Sequence, residues 1–408
     1  MPDRMWCIAT SKAPMRTARV QPGTRPILAR SAAMGSVPAL ELEDARASPL
    51  PPMPIHLLDA MAREGFEEVI ALNDRRSGLR AFLAIHDTCR GPAFGGIRRW
   101  TYRDERDALI DCLRLSRAMT HKCALMDLRA GGAKMVLLDA DWIDRAGAYR
   151  YVGEVVDRLG GRFYTGPDVG TGPDELACVA EKTRFVTNPG PAGPGELGAS
   201  TADGVFRGIE AALMQLDGEV DWAARRFVVQ GLGEVGGRLA ARLSGLGAKV
   251  LATDVDEERA DLYAKDYDIE MLEPATELDV PCDVFVPCAL GGILHDLSIE
   301  RLRCRAVAGG ANNVLAKPLH GDLLHDRGIM YVPDFVLNSG ALIRGTIFHL
   351  EGRREPVDAI GQRIGSVVAR VLDHAASEDR PPARVAIQEA EDTIQAWRKN
   401  TVPPGPNA

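Results

Sequence analysis

A strand, a glycine turn and a helix in immediate succession constrain this chain more than any other feature. Phe227-Val228-Val229-Gln230-Gly231-Leu232-Gly233-Glu234-Val235-Gly236 sets an apolar run before a GxGxxG turn, and a second apolar run ends at Asp254. The string GxGxxG is weak alone, because glycine-rich chains produce it by chance. Its context here is what a dinucleotide needs. The glycines permit a tight turn and close backbone approach to a pyrophosphate, the helix N-terminus offers N–H donors, and a carboxylate about twenty residues on holds ribose hydroxyls. Gly231, Gly233, Gly236 and Asp254 are therefore candidate cofactor residues. A carboxylate at position 254 also repels a 2′-phosphate, which favours NAD over NADP.

The rest of the second half agrees with that start. Apolar strands are predicted at 226–230, 249–253, 284–287, 306–308 and 330–332, with helices over 201–216 and 236–246. Alternation of this kind predicts a parallel, doubly wound sheet. Pro287-Cys288-Ala289-Leu290-Gly291-Gly292 and Gly309-Gly310-Ala311-Asn312-Asn313 each follow a predicted strand. That is where ligands bind in open α/β sheets.

Upstream, a helix is predicted over 56–65 and two strands over 67–73 and 79–86, divided by the turn Asp74-Arg75-Arg76-Ser77-Gly78. Leu109, Cys112, Leu113, Leu115 and Met119 keep helical spacing over 104–119, and a β-rich run at 134–138 precedes a helix over 146–159. A loop dense in Pro and Gly over 188–195 separates the halves. The expected architecture is thus α/β in two domains: an N-terminal α/β substrate and oligomerisation domain over 53–187, and a Rossmann-type NAD-binding domain over 188–345. The active site is expected in the cleft between them. Helices over 346–399 are expected to return to the first domain.

The ends read differently. Residues 1–52 hold Arg4, Lys12, Arg16, Arg19, Arg25 and Arg30 against one early acid, Asp3, which reads as a disordered arm or an over-long start, with Met34 and Met53 as candidate starts, ahead of a transit peptide. A disordered tail is expected over 400–408.

Composition narrows the class. With Lys+Arg 49 against Asp+Glu 57, the formal charge of -8 argues against a phosphate-backbone binder, so no nucleic-acid partner is expected. Apolar stretches such as 284–294 are short and broken by Pro and Gly, so no membrane span is expected. The eight cysteines include no CxxC pair and no cluster with histidine. They read as reduced thiols in a cytoplasmic protein, with no metal site.

Chemistry beyond cofactor binding rests on Lys134, in Leu128-Arg129-Ala130-Gly131-Gly132-Ala133-Lys134, and on Lys122 upstream. An amine becomes a base only where its charge is poorly solvated, as in a glycine-lined pocket. Two lysines held close together would lower one another's pKa, and on that reasoning Lys134 is expected neutral near working pH. Beside a dinucleotide, this suggests hydride transfer with proton chemistry at nitrogen.

Four motifs precede the nucleotide signature in order: Gly91-Pro92-Ala93-Phe94-Gly95-Gly96-Ile97-Arg98, Met119-Thr120-His121-Lys122, Gly131-Gly132-Ala133-Lys134 and Gly166-Pro167-Asp168-Val169-Gly170-Thr171. Tyr331-Val332-Pro333-Asp334-Phe335-Val336-Leu337-Asn338-Ser339-Gly340 follows it. From about residue 54 to beyond 345 the chain resembles the glutamate/leucine/phenylalanine/valine dehydrogenase family, its leucine and phenylalanine branch in particular. The resemblance implies NAD-dependent, reversible oxidative deamination of an L-amino acid to a 2-oxo acid and ammonia, by a homo-oligomer, octameric in expectation. It implies that Lys122 binds the substrate carboxylate, Lys134 activates water and Asp168 moves a proton to and from nitrogen. It further implies that Asn313 and the backbone of Gly95 and Gly96 orient the amino acid, with Thr201 and Asn312 on the cofactor side.

Pocket positions are Phe94, Gly166, Leu342 and Gly345. No matching position supplies a second cation for a side-chain carboxylate, which argues against glutamate. Gly166 and Gly345 make room for a large hydrophobic side chain, with aromatic slightly ahead of branched aliphatic. The chain departs from the family's pattern at His121, where a tyrosine is usual, at Gly166-Pro167, and at Ala199-Ser200-Thr201, which lacks a proline. Two rivals stay open: a non-catalytic NAD-binding sensor, and a dehydrogenase for an unusual amino acid such as tryptophan.

Overall fold

The computed structural model describes residues 56–188 and 192–401. The expectations for 1–52, for the centre of the 188–195 loop and for the end of the tail lie outside the described residues. The first half runs α1 (Leu57–Glu64), β1 (Glu68–Asp74), β2 (Leu79–Asp87), β3 (Ala93–Phe94), β4 (Ile97–Trp100), α2 (Glu105–Leu125), β5 (Gly131–Leu138), α3 (Arg145–Arg158), β6 (Phe163–Tyr164) and α4 (Pro173–Ala180). The second runs α5 (Leu197–Asp217), β7 (Arg226–Gln230), α6 (Gly236–Gly245), β8 (Lys249–Thr253), α7 (Glu257–Asp266), β9 (Ile269–Met271), β10 (Cys282–Pro287), α8 (Asp296–Arg301), β11 (Cys304–Val307), α9 (Leu319–Asp326), β12 (Met330–Tyr331), α10 (Asp334–Leu337), α11 (Gly340–Glu351), α12 (Val357–Glu378) and α13 (Pro382–Thr401).

The first sheet has the order β1-β2-β5-β3-β6, with β4 also on β5. β1 and β2 form an antiparallel hairpin. In its turn the Ser77 backbone N–H and hydroxyl both donate to Asp74 Oδ2, at 3.1 and 2.6 Å. β2 runs antiparallel to β5, whereas β3, β4 and β6 enter in parallel. One face packs Leu83, Ile85, Met135 and Leu137 against Tyr149, Val152 and Val156 of α3. The other packs Ala84 and Val136 against Ala108, Cys112 and Leu115 of α2. Burying each such side chain contributes roughly 1.5–3 kcal/mol.

α2 differs from its predicted extent. The helix starts where predicted, with the Asp104 carboxylate accepting the Asp107 N–H as a cap, but it runs on past Met119 to Leu125. Thr120, His121 and Lys122 are buried in those last turns. Polar side chains there masked a core-facing stripe, so periodicity stopped short of it.

The second sheet is wholly parallel in the order β12-β11-β10-β7-β8-β9. Strand order therefore reverses beside β7, the first strand in sequence, and leaves a crevice at its carboxyl end. Both faces are covered: Phe227, Val229 and Val284 meet Val205, Ile209 and Leu239, while Val228, Phe285 and Val307 meet Ile299 and Leu324. Strands buried on both sides must be apolar throughout, hence the short hydrophobic runs in the sequence. α12 packs on α5 through Ile364 and Val368, whereas α13 lies on α2. There Arg117 pairs with Glu391 at 3.4 Å, and Arg398 meets Asp87 at 2.8 Å.

Candidate active site

Glycines let three segments of the first half converge. A Cβ on Gly132 would stand 2.2 Å from the Thr120 nitrogen, so only glycine allows the last turns of α2 to rest on β5. Lys122 at the end of α2 and Lys134 on β5 are thereby brought into one cavity. A Cβ on Gly96 would stand 2.5 Å from the Pro167 oxygen, and its absence admits the loop that carries Asp168.

Lys134 Nζ lies 3.0 Å from Asp168 Oδ2, and Arg98 Nε donates to the same oxygen at 2.9 Å. Asp168 Oδ1 has no hydrogen-bond partner among the described residues. Burial pushes the Asp168 carboxyl pKa up, but the Lys134 and Arg98 charges outweigh it and hold it below the usual value. Lys122 Nζ donates to Asn338 Oδ1 at 2.5 Å. Burial lowers the Lys122 pKa to about 8; the Lys134 charge adds to this, while Asp334 opposes it. Mutual repulsion of the lysines was the cause expected from sequence. Instead burial is the larger cause at Lys122, and Lys134 stands in an ion pair.

The opposite wall comes from the second half. Asn338, closing α10, also donates from Nδ2 to Asn312 Oδ1 at 2.8 Å. Asn313 adopts a left-handed backbone, φ 53°, and its Oδ1 accepts Arg114 Nη1 at 2.8 Å. The Thr201 hydroxyl donates to the Leu197 carbonyl at 3.1 Å and accepts the Ala341 N–H at 3.2 Å.

Every substrate-side and catalytic candidate meets here. A cavity of about 290 Å³ is lined by Phe94, Gly95, Gly96, Lys122, Lys134, Gly166, Asp168, Leu342 and Gly345, with Thr201, Asn312 and Asn313 on its far side. Phe94 stacks on Tyr164 with ring centroids 4.8 Å apart. A Cβ on Gly166 would approach Thr187 Cβ to 3.2 Å, and one on Gly345 would approach Thr187 Cγ2 to 3.4 Å. Both glycines thus open space over Thr187, whose hydroxyl hydrogen-bonds His349 Nε2 at 3.0 Å. His121 is not among the lining residues: its buried ring tilts toward Phe335, and burial drops its pKa to about 3. That departure is a packing change behind the site.

Sequence reasoning missed Tyr164, Thr187, His349, Asp111 and Arg114, and gave Arg98 and Asn338 no role. Arg98 and Asn338 could have been found, since each lies within one of the motifs named above. Thr187 and His349 lie 162 positions apart, and no local signal links them.

The remaining candidates form a second cluster at the crevice of the parallel sheet. Gly231 has φ 89°, and a Cβ on Gly236 would stand 2.0 Å from the Gly231 oxygen. Around Gly233 a Cβ would meet nothing within 4 Å, so the backbone at the start of α6 is open to a ligand. Asp254 Oδ2 accepts the Leu232 N–H at 2.7 Å, Oδ1 accepts the Asp256 N–H at 2.9 Å, and Arg259 Nη1 lies 3.2 Å from both oxygens. These N–H bonds and Arg259 hold its carboxyl pKa low against the upward push of burial. An open helix start, a glycine turn and an ionised carboxylate fit a dinucleotide. The two clusters adjoin: Val235, from the glycine turn, lines the cavity beside Gly310.

A parallel sheet with a glycine turn of the dinucleotide-binding kind, bordering a cavity that holds a buried lysine–aspartate pair, fits a two-domain dehydrogenase. Residues 67–185 match the family described as Glu/Leu/Phe/Val dehydrogenase, dimerisation domain, and 253–347 match Glutamate/Leucine/Phenylalanine/Valine dehydrogenase. The chain is 38% identical to a leucine dehydrogenase of Thermoactinomyces intermedius, over 84% of this chain and 94% of that protein. It is 42% identical to a phenylalanine dehydrogenase of Caldalkalibacillus thermarum, over 68% of this chain and 77% of that one. The crystal structure of L-tryptophan dehydrogenase from Nostoc punctiforme superposes with a TM-score of 0.73 at 33% identity, covering 84% and 99% of the two chains. The protein belongs to the glutamate/leucine/phenylalanine/valine dehydrogenase family, whose members are NAD(P)-dependent amino acid dehydrogenases.

Proposed function

We propose that the protein catalyses reversible, NAD-dependent oxidative deamination of a hydrophobic L-amino acid to its 2-oxo acid and ammonia. The observation that carries this reading is the Lys134–Asp168 pair at 3.0 Å in a cavity shared with Lys122 and bordered by the dinucleotide turn. The bound dinucleotide supplies the hydride acceptor. Lys122 holds the substrate carboxylate as a compact cation, and Asn313 and the Gly95–Gly96 backbone fix the amino acid beside it. Lys134, having lost its proton, takes one from the water that adds to the iminium carbon. Asp168, through its open Oδ1, takes a proton from the substrate ammonium before the hydride leaves, and returns it to the nitrogen of the carbinolamine, which departs as ammonia when the C–N bond breaks. Closure of the two sheets' domains over the substrate excludes bulk water from these steps.

Finer features belong to the same proposal. The ionised Asp254 supports NAD over NADP. The glycine space over Thr187 and the Phe94–Tyr164 stack support a large side chain, aromatic ahead of branched aliphatic. The match of 67–185 to a dimerisation domain supports a homo-oligomer, octameric in our reading. Free cysteines throughout the described residues support a cytoplasmic setting. No helix among those residues is long and apolar enough to cross a membrane, and no His, Cys, Asp and Glu cluster there is arranged for a metal ion.

The test is NADH formation at alkaline pH with L-Leu, Val, Ile, Phe, Trp and Glu, repeated with NADP. A strong preference for one hydrophobic amino acid with NAD is expected; silence across the panel with NADH still bound would leave a binding protein.

Lys122 gives this reading a pH signature. Only its cationic form attracts a carboxylate, and burial brings its pKa to about 8. Affinity for the 2-oxo acid, with NADH present, should therefore be level below pH 8 and weaken by up to about tenfold per unit above it. Titration by fluorescence quenching reads this directly, and Lys122→Met should bind weakly with no such slope.

A further inference from the structure

We propose that Arg98 is a positioning residue for the Asp168 carboxylate, and that Asp111 and Arg114 extend its hold to Asn313 on the opposite wall of the cavity. This rests on the role given to Asp168 above. Arg98 is nearly buried, its side chain 11% exposed, and its guanidinium is fixed at both ends. Nε donates to Asp168 Oδ2 at 2.9 Å, and Nη1 donates to Asp111 Oδ2 at 3.1 Å. Asp111 is held in turn: the Tyr102 hydroxyl donates to Oδ2 at 2.8 Å, and Arg114 Nη2 to Oδ1 at 2.6 Å. Arg114 Nη1 then reaches Asn313 Oδ1 at 2.8 Å.

The mechanism explains why an arginine belongs there. Lys134 must give up its proton and turn toward water during the cycle, so it cannot hold Asp168 steady throughout. A guanidinium keeps its charge at every working pH, and its planar fork fixes orientation as well as distance. Both cations take Oδ2, which leaves Oδ1 for the substrate nitrogen. At the far end Arg114 occupies the Asn313 oxygen, and the Asn313 amide nitrogen has no partner among the described residues. That nitrogen is thereby aligned to donate to the substrate. One charged chain sets a proton-transfer group on one wall and an orienting amide on the other.

Arg98→Met, Arg98→Lys and Arg114→Met separate these statements, with the preferred amino acid of the panel as substrate. The readouts are kcat, KM, the pH profile of kcat/KM and NADH binding by fluorescence. In Arg98→Met, kcat should fall about 100-fold with NADH binding kept. The acidic limb should move up by about one pH unit, because of the cations facing Asp168 only Lys134 and the more distant Lys122 remain. Arg98→Lys restores the cation and should recover at least about tenfold of the lost kcat and return the limb. Arg114 is half exposed, so Arg114→Met folds; it should raise the amino-acid KM by about fivefold and leave the limb in place.

An unmoved limb in Arg98→Met, or no recovery in Arg98→Lys, overturns the positioning role. If Arg98→Met does not fold, Arg98→Lys decides: kcat within about tenfold of wild type with an unmoved limb supports the role, and a larger loss overturns it. An unchanged KM in Arg114→Met overturns the extension to Asn313. Should Asp168→Asn itself retain turnover, the reading of the site fails, not the geometry proposed here.

Discussion

Replacing Lys134 with alanine should lower kcat for deamination by about 10³–10⁴, or roughly 4–5.5 kcal/mol of transition-state stabilisation, while NADH binding stays within about threefold. The amine would be the one group placed to take a proton from the attacking water, and no neighbour replaces it: Lys122 is turned to Asn338, and Asp168 is held by Arg98. The fold should survive. Asp168 keeps a cation in Arg98, so the truncation does not strand a buried carboxylate, and what is lost is packing along a lysine stem. The glycine turn that would hold the dinucleotide lies on the other sheet and, among the described residues, shares no hydrogen bond with Lys134. Turnover by NADH absorbance and binding by NADH fluorescence are read on the same preparation. Activity within tenfold of wild type would remove Lys134 from the chemistry. A loss of activity with binding intact would separate this enzyme from a sensor that merely holds the cofactor, because a sensor has no use for a base.

Much of the architecture is legible along the chain because it is built from local signals. The strands at Arg226–Gln230 and Lys249–Thr253 fall where apolar runs and the glycine turn put them. β3 and β6 do not, since each is two residues long and lacks the flanking apolar run that marks the equally short β12. The end of α2 was hidden because Lys122 and His121 are buried polar groups at core-facing positions. The lysines and Asp168 were visible as motif residues, yet their relations were not. That Lys134 pairs with Asp168, and that burial acts at Lys122, are facts of three segments meeting where glycines let the backbones approach. The same holds for Arg98, Asp111, Arg114 and Asn313, joined across 199 positions by one charged contact. Sequence can announce that a glycine makes room, as at Gly166 and Gly345; it cannot say that Thr187 and His349 stand behind that room.

Asp168→Asn should lower kcat by about 10³ and, unlike the lysine variant, also lower stability measurably. Asparagine keeps the shape and can still accept a hydrogen bond at its oxygen. It removes the charge that two buried cations share, in a cluster whose side chains are 8% exposed for Asp168, 7% for Lys134 and 11% for Arg98. Leaving a buried ion without its partner costs about 3–5 kcal/mol, here less because Arg98 retains Asp111. The sign of the pH dependence follows from the carboxyl group. Its folded pKa is held below the usual 3.8, so the stability it contributes is fully present above that value and is lost as pH falls through the lower folded value. The stability gap between wild type and Asp168→Asn should therefore be level from neutral pH down to about 5 and close only in more acid solution. Denaturant titrations at several pH values measure the gap. A gap that widened toward acid would mean that Asp168 is protonated in the folded enzyme, and the carboxylate could not then serve as the proton acceptor of the reverse reaction.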